Sequence, residues 1–178
     1  MPAEKSRRRF LAASVAFAGL GLSPVLSAAG SPARSLRFYH THTGEKLAVT
    51  YFESGQYFED ALAEVNQLLR DHRSGEIYAI DRNLLDMLHA VQQHRGRAGT
   101  YEIISGYRSP ATNEMLRSAS DGVAKRSLHM QGRAIDVRIP GLATRDLQRA
   151  AMELSAGGVG YYPEAAFVHL DTGRVRSW

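Results

Sequence analysis

The chain has 178 residues, 44% of them apolar and 22% charged, the usage of a folded domain rather than of a disordered, collagen-like or coiled-coil chain. It contains no Cys, which excludes a disulfide scaffold, a thiolate zinc finger, an iron–sulfur protein and a cysteine nucleophile. The net charge is +4, and where it lies along the chain decides whether a polyanion is a sensible partner.

Residues 1–29 read as an address rather than as part of the fold. Lys5, Arg7, Arg8 and Arg9 precede an uncharged run from Phe10 to Leu26, and Ser27-Ala28-Ala29 closes it with small residues. That is the tripartite plan of an export signal. Ser6-Arg7-Arg8-Arg9-Phe10-Leu11 resembles the twin-arginine signal, which implies a periplasmic destination. The run is rich in Ala and Gly and makes a poor transmembrane segment, so no stable membrane anchor is expected. The segment holds four cations against Glu4, a net of +3, which leaves +1 for residues 30–178. A nearly neutral domain lacks the basic footprint of a nucleic-acid binder. Residues 30–178 are long enough for one core, and a monomer is expected.

Within that domain, Leu36–His40 and Lys46–Phe52 read as the strands of a hairpin. Residues 59–73 read as a helix, with Leu62, Val65, Leu68 and Leu69 at helical spacing. Asp81 is a candidate N-cap for a second helix carrying Leu84, Leu85, Leu88 and Val91 on one stripe. Tyr101–Ile104 reads as a short strand, and Ser105 to Pro110 as a loop leading into a helix over 111–118. Residues 121–133 are polar and Gly-containing, hence a loop. Ala134–Ile139 alternates, with Asp136 on the polar face of a half-buried strand. Thr144 is a candidate cap for a helix to about 156, stopped by Gly157-Gly158. Val159–Tyr162 and Ala166–Asp171 read as closing strands, with Phe167, His169 and Asp171 on one face. Strands and helices alternate without βαβ regularity, so the class is α+β: a small antiparallel sheet flanked by helices.

The chemistry concentrates in two of the seven histidines. His72, His89 and His94 read as solvated positions on helices. His40 and His42 alternate at the hairpin turn and can share a face. His129 differs: its loop ends in Gly132, and the strand that follows delivers Asp136. His169 lies on a separate strand with Asp171 two residues on. Two imidazoles and one carboxylate are the ligand types of a catalytic zinc. The same spacing suits a loop histidine hydrogen-bonded to a buried aspartate.

Ser127-x-His129-x-x-Gly132-x-Ala134-x-Asp136, followed by a strand carrying His169, resembles the zinc peptidases that cut peptidoglycan. That group includes D-alanyl-D-alanine peptidases, with the lysostaphin and hedgehog N-terminal domains as relatives of the fold. Ser105-Gly106-Tyr107-Arg108-Ser109, Gly122-Val123-Ala124-Lys125, Gly157-Gly158-Val159-Gly160-Tyr161-Tyr162-Pro163 and Phe167-Val168-His169-Leu170-Asp171-Thr172-Gly173 together look more closely like the murein endopeptidase K family. The resemblance runs through Trp178 and implies a zinc metallopeptidase that hydrolyses peptide cross-links in peptidoglycan, with stem peptides as its partners. It implies Zn2+ held by His129, Asp136 and His169, and a substrate-side arginine at Arg108. Relatives often place an acid or His two or three residues before the last ligand; here those positions are Phe167 and Ala166. Asp171 is then expected to act as general base or to orient a ligand, with Glu164 the other nearby acid. Arg108, Lys125, Arg126 and Arg133 form a candidate basic patch. A D-Ala carboxypeptidase and a non-catalytic zinc-containing wall-binding module are the alternatives.

Overall fold

The computed structural model describes residues 32–120 and 122–178, so the export-signal expectation lies outside the described residues. The architecture is α+β, as expected, but the sheet is larger than the small antiparallel one anticipated. Its eight strands run in the order β3-β2-β1-β4-β5-β7-β6-β8. In chain order the strands are β1 (Arg34–His40), β2 (Lys46–Glu53), β3 (Gln56–Tyr57), β4 (Thr100–Ser105), β5 (Ala134–Arg138), β6 (Gly158–Tyr162), β7 (Phe167–Asp171) and β8 (Arg176–Ser177). The helices are α1 (Glu59–Leu68), α2 (Arg82–His94), α3 (Pro110–Ala119) and α4 (Thr144–Glu153). The sheet is mixed: β1 with β4 and β6 with β8 are parallel, and the other pairs are antiparallel. The hairpin of β1 and β2 stands as expected, whereas β3 and β8, two residues each, are too short to leave a period in the sequence.

Burial of one apolar stripe per helix assembles the core. Leu62 and Val65 of α1, Leu84, Leu85, Leu88 and Val91 of α2 and Leu147 of α4 join Leu36, Phe38, Ile103, Ile135, Val168 and Leu170 of the sheet in one cluster. Each such side chain contributes about 1.5–3 kcal/mol when fully buried. Asp81 caps α2 as expected, its side chain accepting from the Asn83 amide at 3.0 Å. Thr144 does not cap α4; it is the first helical residue, and the N-cap is Ala143, which has no side chain able to do so.

The first helix ends at Leu68 rather than near residue 73. Asp71 turns the chain instead: its amide donates to the Glu76 carbonyl at 2.9 Å, and Gly75 donates back to the Asp71 carbonyl at 2.7 Å. The Asp71 carboxylate then reaches across the fold to accept from the Ser109 amide (3.0 Å) and hydroxyl (2.8 Å). Ser109 caps α3, and Pro110 at its first position supplies the φ a helix start needs. This tie fixes the segment that carries Arg108.

Candidate metal centre

Strand register brings the site together. Asp136 on β5 lies directly opposite His169 on β7, and His169 lies opposite Gly160 on β6. Directly opposed residues on antiparallel strands project to the same face. That face is turned away from the core, where Val168 and Leu170 point. His129 arrives from a 3-10 turn, Leu128–Gln131, whose N-cap Ser127 accepts from the His129 amide at 3.3 Å. The turn ends at Gly132, in the left-handed region at φ 63°, where a side chain would also strike the Ala79 carbonyl. The strand of Asp136 is buried on both faces rather than half-buried, because its polar face is the floor of this cleft.

Three donor atoms converge there. His129 Nε2 lies 3.3 Å from Asp136 Oδ1, His169 Nδ1 lies 2.8 Å from the same oxygen, and the two ring nitrogens are 3.3 Å apart. A tetrahedral ion with arms of roughly 2.0–2.1 Å has edges of about 3.3 Å, so the triangle fits a zinc-sized cation. Among the described residues this is the one such grouping of His, Asp and Glu donors.

The outer nitrogens fix the tautomers. His129 Nδ1–H donates to the Gly106 carbonyl at 2.7 Å, which leaves its Nε2 lone pair facing the centre. His169 Nε2–H donates to Asp171 Oδ2 at 3.0 Å, which leaves its Nδ1 lone pair facing inward. Burial pushes the His129 imidazole down, towards the neutral form a ligand needs. Burial also works against charge on His169, but the Asp136 and Asp171 carboxylates outweigh it and the net shift is upward. Asp136 is opposed by burial too, yet the two imidazoles hold it well below the usual carboxylate range.

Arg108 is part of this cluster. Its guanidinium pairs with Asp136 Oδ2, and its Nε donates to Ser105 Oγ at 2.8 Å. Its backbone amide donates to the His129 carbonyl at 3.3 Å, so it is tied to the same turn. The Nη1 donors have no protein partner among the described residues, and Arg108 lines the cleft.

Asp171 lies behind His169 with no exposed surface. Arg176 grips both its oxygens (2.9 and 2.6 Å), and the Gly173 amide donates to Oδ1 at 2.8 Å. Burial raises the cost of its charge, but His169 and Arg176 hold it well below the usual range. The glycines of β6 make this packing possible. A Cβ at Gly158 would lie 2.5 Å from Asp171 Oδ2, and one at Gly160 would lie 2.7 Å from the Trp178 indole. Trp178 stands beside His169, with ring centroids 5.3 Å apart, and its Nε1 donates to the Tyr162 hydroxyl at 2.9 Å.

The cleft over these residues has a volume of about 400 Å3. Of the expected basic patch, Arg108 and Arg126 line it; Lys125 does not, and Arg133 turns to Thr172 and Asp81. Glu164 is exposed in the turn before β7 and does not line the cleft. Tyr162 lines it, while Tyr161 packs against the core. Sequence reasoning missed Arg176 and the indole wall. Neither has a local pattern; only β8 pairing alongside β6 brings them in.

Comparison with known proteins identifies the family. A family model described as peptidoglycan L,D-endopeptidase MepK matches residues 28–178. The peptidoglycan L,D-endopeptidase MepK of Escherichia coli K12 is 39% identical, over 98% of this chain and 98% of its own. A probable peptidoglycan L,D-endopeptidase MepK of Haemophilus influenzae is 37% identical, over 98% of this chain and 96% of its own. No solved structure matches the chain.

Proposed function

The chain belongs to the peptidoglycan L,D-endopeptidase MepK family of metallopeptidases, and from that premise we propose a zinc-dependent enzyme that hydrolyses L,D cross-links between stem peptides of peptidoglycan. The observation that carries the proposal is the donor triangle of His129, Asp136 and His169, with both outer ring nitrogens committed to acceptors. These three residues would hold the metal. A bound zinc supplies Lewis acidity at the scissile carbonyl and acidifies a water from about 15.7 towards about 7.

The remaining steps belong to the protein. Asp136 presents Oδ1 to the centre while Arg108 holds its outer oxygen, which fixes the carboxylate as a single-oxygen donor. Arg108 lines the cleft, and its Nη1 donors, which have no protein partner among the described residues, are available to brace the carbonyl oxygen as it gains negative charge. Among the described residues Asp171 is the one carboxylate besides Asp136 at the cleft, and it lies beneath His169 with no exposed surface. Its oxygens are taken by His169, Arg176 and Gly173, and of its two expected roles we assign it the orienting one. Phe167, Tyr162 and Trp178 form an apolar wall that limits water around the scissile bond.

We further propose that residues 1–29 are a twin-arginine signal, so that the domain works in the periplasm as a monomer. Among the described residues no helix is long and apolar enough to cross a membrane.

The test is to measure zinc in the purified protein and incubate it with isolated peptidoglycan, with and without chelator, then separate the muropeptides by mass. Loss of cross-linked dimers that requires about one zinc per chain is the expected result. Release of single D-Ala residues would identify a carboxypeptidase instead, and zinc without cleavage would identify a wall-binding module.

A further inference from the structure

We propose that Trp178 is a substrate-contacting residue: its indole, held rigid beside His169, seats the alkyl part of a stem-peptide residue that flanks the scissile amide. The inference rests on the reading of the cleft as a peptidoglycan endopeptidase site, and adds which wall takes the apolar part of the substrate.

The cleft is lined by two kinds of surface. Arg108 and the chain leading into the His129 turn supply guanidinium groups, hydroxyls and small aliphatic groups. Strands β6 and β7 and the residue after β8 supply rings. Tyr162 lies opposite Phe167 in the strand register, and their rings stack with centroids 4.6 Å apart. The Tyr162 hydroxyl accepts from Trp178 Nε1 at 2.9 Å, and the indole in turn stands beside His169, 5.3 Å between centroids. The three rings form a ledge that ends on a metal donor.

Trp178 is the part of that ledge nearest the centre, and it is pinned. Its backbone amide donates to the Val159 carbonyl at 3.3 Å, and its carbonyl accepts from the Tyr161 amide at 2.9 Å. The Arg176 guanidinium lies over the ring, 4.7 Å from its centroid. Gly160, opposite His169 on β6, leaves out the side chain that would strike the indole. Yet 48% of the residue stays exposed. Its one polar atom is already satisfied, so what it offers a ligand is apolar ring surface. A ring fixed in this way loses little conformational freedom when a ligand packs on it.

Substrate chemistry fits such a surface. Every amide in a stem peptide is flanked by methyl groups or methylene chains. One of these, laid on the indole, removes apolar area from water on both partners and leaves the amide itself to the metal and Arg108.

The experiment uses the zinc-loaded protein, a synthetic cross-linked stem-peptide dimer, and an analogue whose scissile amide is replaced by a methyleneamine. Trp178→Ala should raise KM for the dimer about 4- to 15-fold, the span of one or two methylene groups taken out of water, with most of the loss in KM and metal content at the wild-type level. Trp178→Phe keeps a ring and should recover part of that factor. Trp178 is the only Trp in the chain, so its emission reports this wall alone. Titration with the analogue should shift that emission saturably, over the concentrations that inhibit cleavage. An unchanged KM in Trp178→Ala, a loss of its metal, or an emission unmoved by inhibiting analogue overturns the proposal. If wild type cuts no dimer, the endopeptidase reading fails, and the emission titration decides the platform by itself: a saturable shift keeps it, and none removes it.

Discussion

Two histidine clusters lie in this domain, and among the described residues only one converges with a carboxylate into a group that could hold a metal ion. In the cleft, His129 and His169 each donate outward, to the Gly106 carbonyl and to Asp171, and so present bare ring nitrogens to Asp136. At the other cluster, His40, His42 and His72 meet near the β1–β2 turn, with the His42 and His72 rings stacked 4.2 Å apart. There His40 Nδ1 accepts from the His42 and Thr43 amides at 3.3 and 3.4 Å. An accepting Nδ1 leaves the proton on Nε2, which is buried and has no partner among the described residues. The nearby acids are engaged elsewhere: Glu45 with Arg70, and Asp71 with Ser109 and the Arg73 amide. The contrast teaches that imidazole count does not make a metal site. An acceptor behind each ring, and a carboxylate between the rings, does.

The strongest way to break the contrast is to remove a donor. His129→Ala should abolish both metal retention and turnover, read by metal analysis of the dialysed protein and by muropeptide assay; a variant with full metal and activity would sink the assignment. Asp171→Asn comes next. If Asp171 orients His169, metal affinity should fall about 10–100-fold and turnover should recover at excess metal. Unchanged metal affinity with a turnover loss of about 100-fold or more would make it the general base instead. Arg108→Ala should cost about 100-fold in kcat at saturating metal, the scale of one lost donor to a developing oxyanion. A loss confined to metal content would reduce Arg108 to a brace for Asp136.

The second cluster predicts small effects. Ala at His42 should change neither metal stoichiometry nor activity, and should move stability by no more than about 0.5 kcal/mol. A second equivalent of tightly bound metal lost with that residue would erase the distinction between the clusters. His72 sharpens it through pH. Burial first, then Arg73, His42 and His40, lower its imidazole to about 4. A histidine lowered in the folded state takes up its proton more readily when unfolded, so its share of stability is present above about 6.5 and is lost as pH falls towards 4. Urea midpoints of metal-free protein at pH 7 and pH 5 should therefore differ less in His72→Gln than in wild type. An identical difference in both would show that His72 is not desolvated.

Much of this was legible in the chain. The 3.6-residue stripes of Leu84, Leu88 and Val91, the alternation of Ala134–Ile139, the cap at Asp81 and the pairing of ligand types around His129 are local, and local patterns survive in sequence because each element must bury one face. His129 and Asp136 lie close enough in the chain to be paired from spacing, whereas His169, 33 residues beyond Asp136 on another strand, joins them through the resemblance to the zinc peptidases. What sequence left undecided is non-local. Whether Asp171 faces the substrate or stands behind His169 depends on Arg176, brought in by β8 beside β6. Whether Arg108 is free depends on its ion pair with Asp136 of β5, and on Asp71 holding Ser109 from 38 residues away. The parallel pairing of β1 with β4 leaves no periodic trace either. Residue types and local periods determine the elements and the ligand chemistry. Register between distant strands, set by packing of the whole core, decides which charges meet and therefore which of them remain for the substrate.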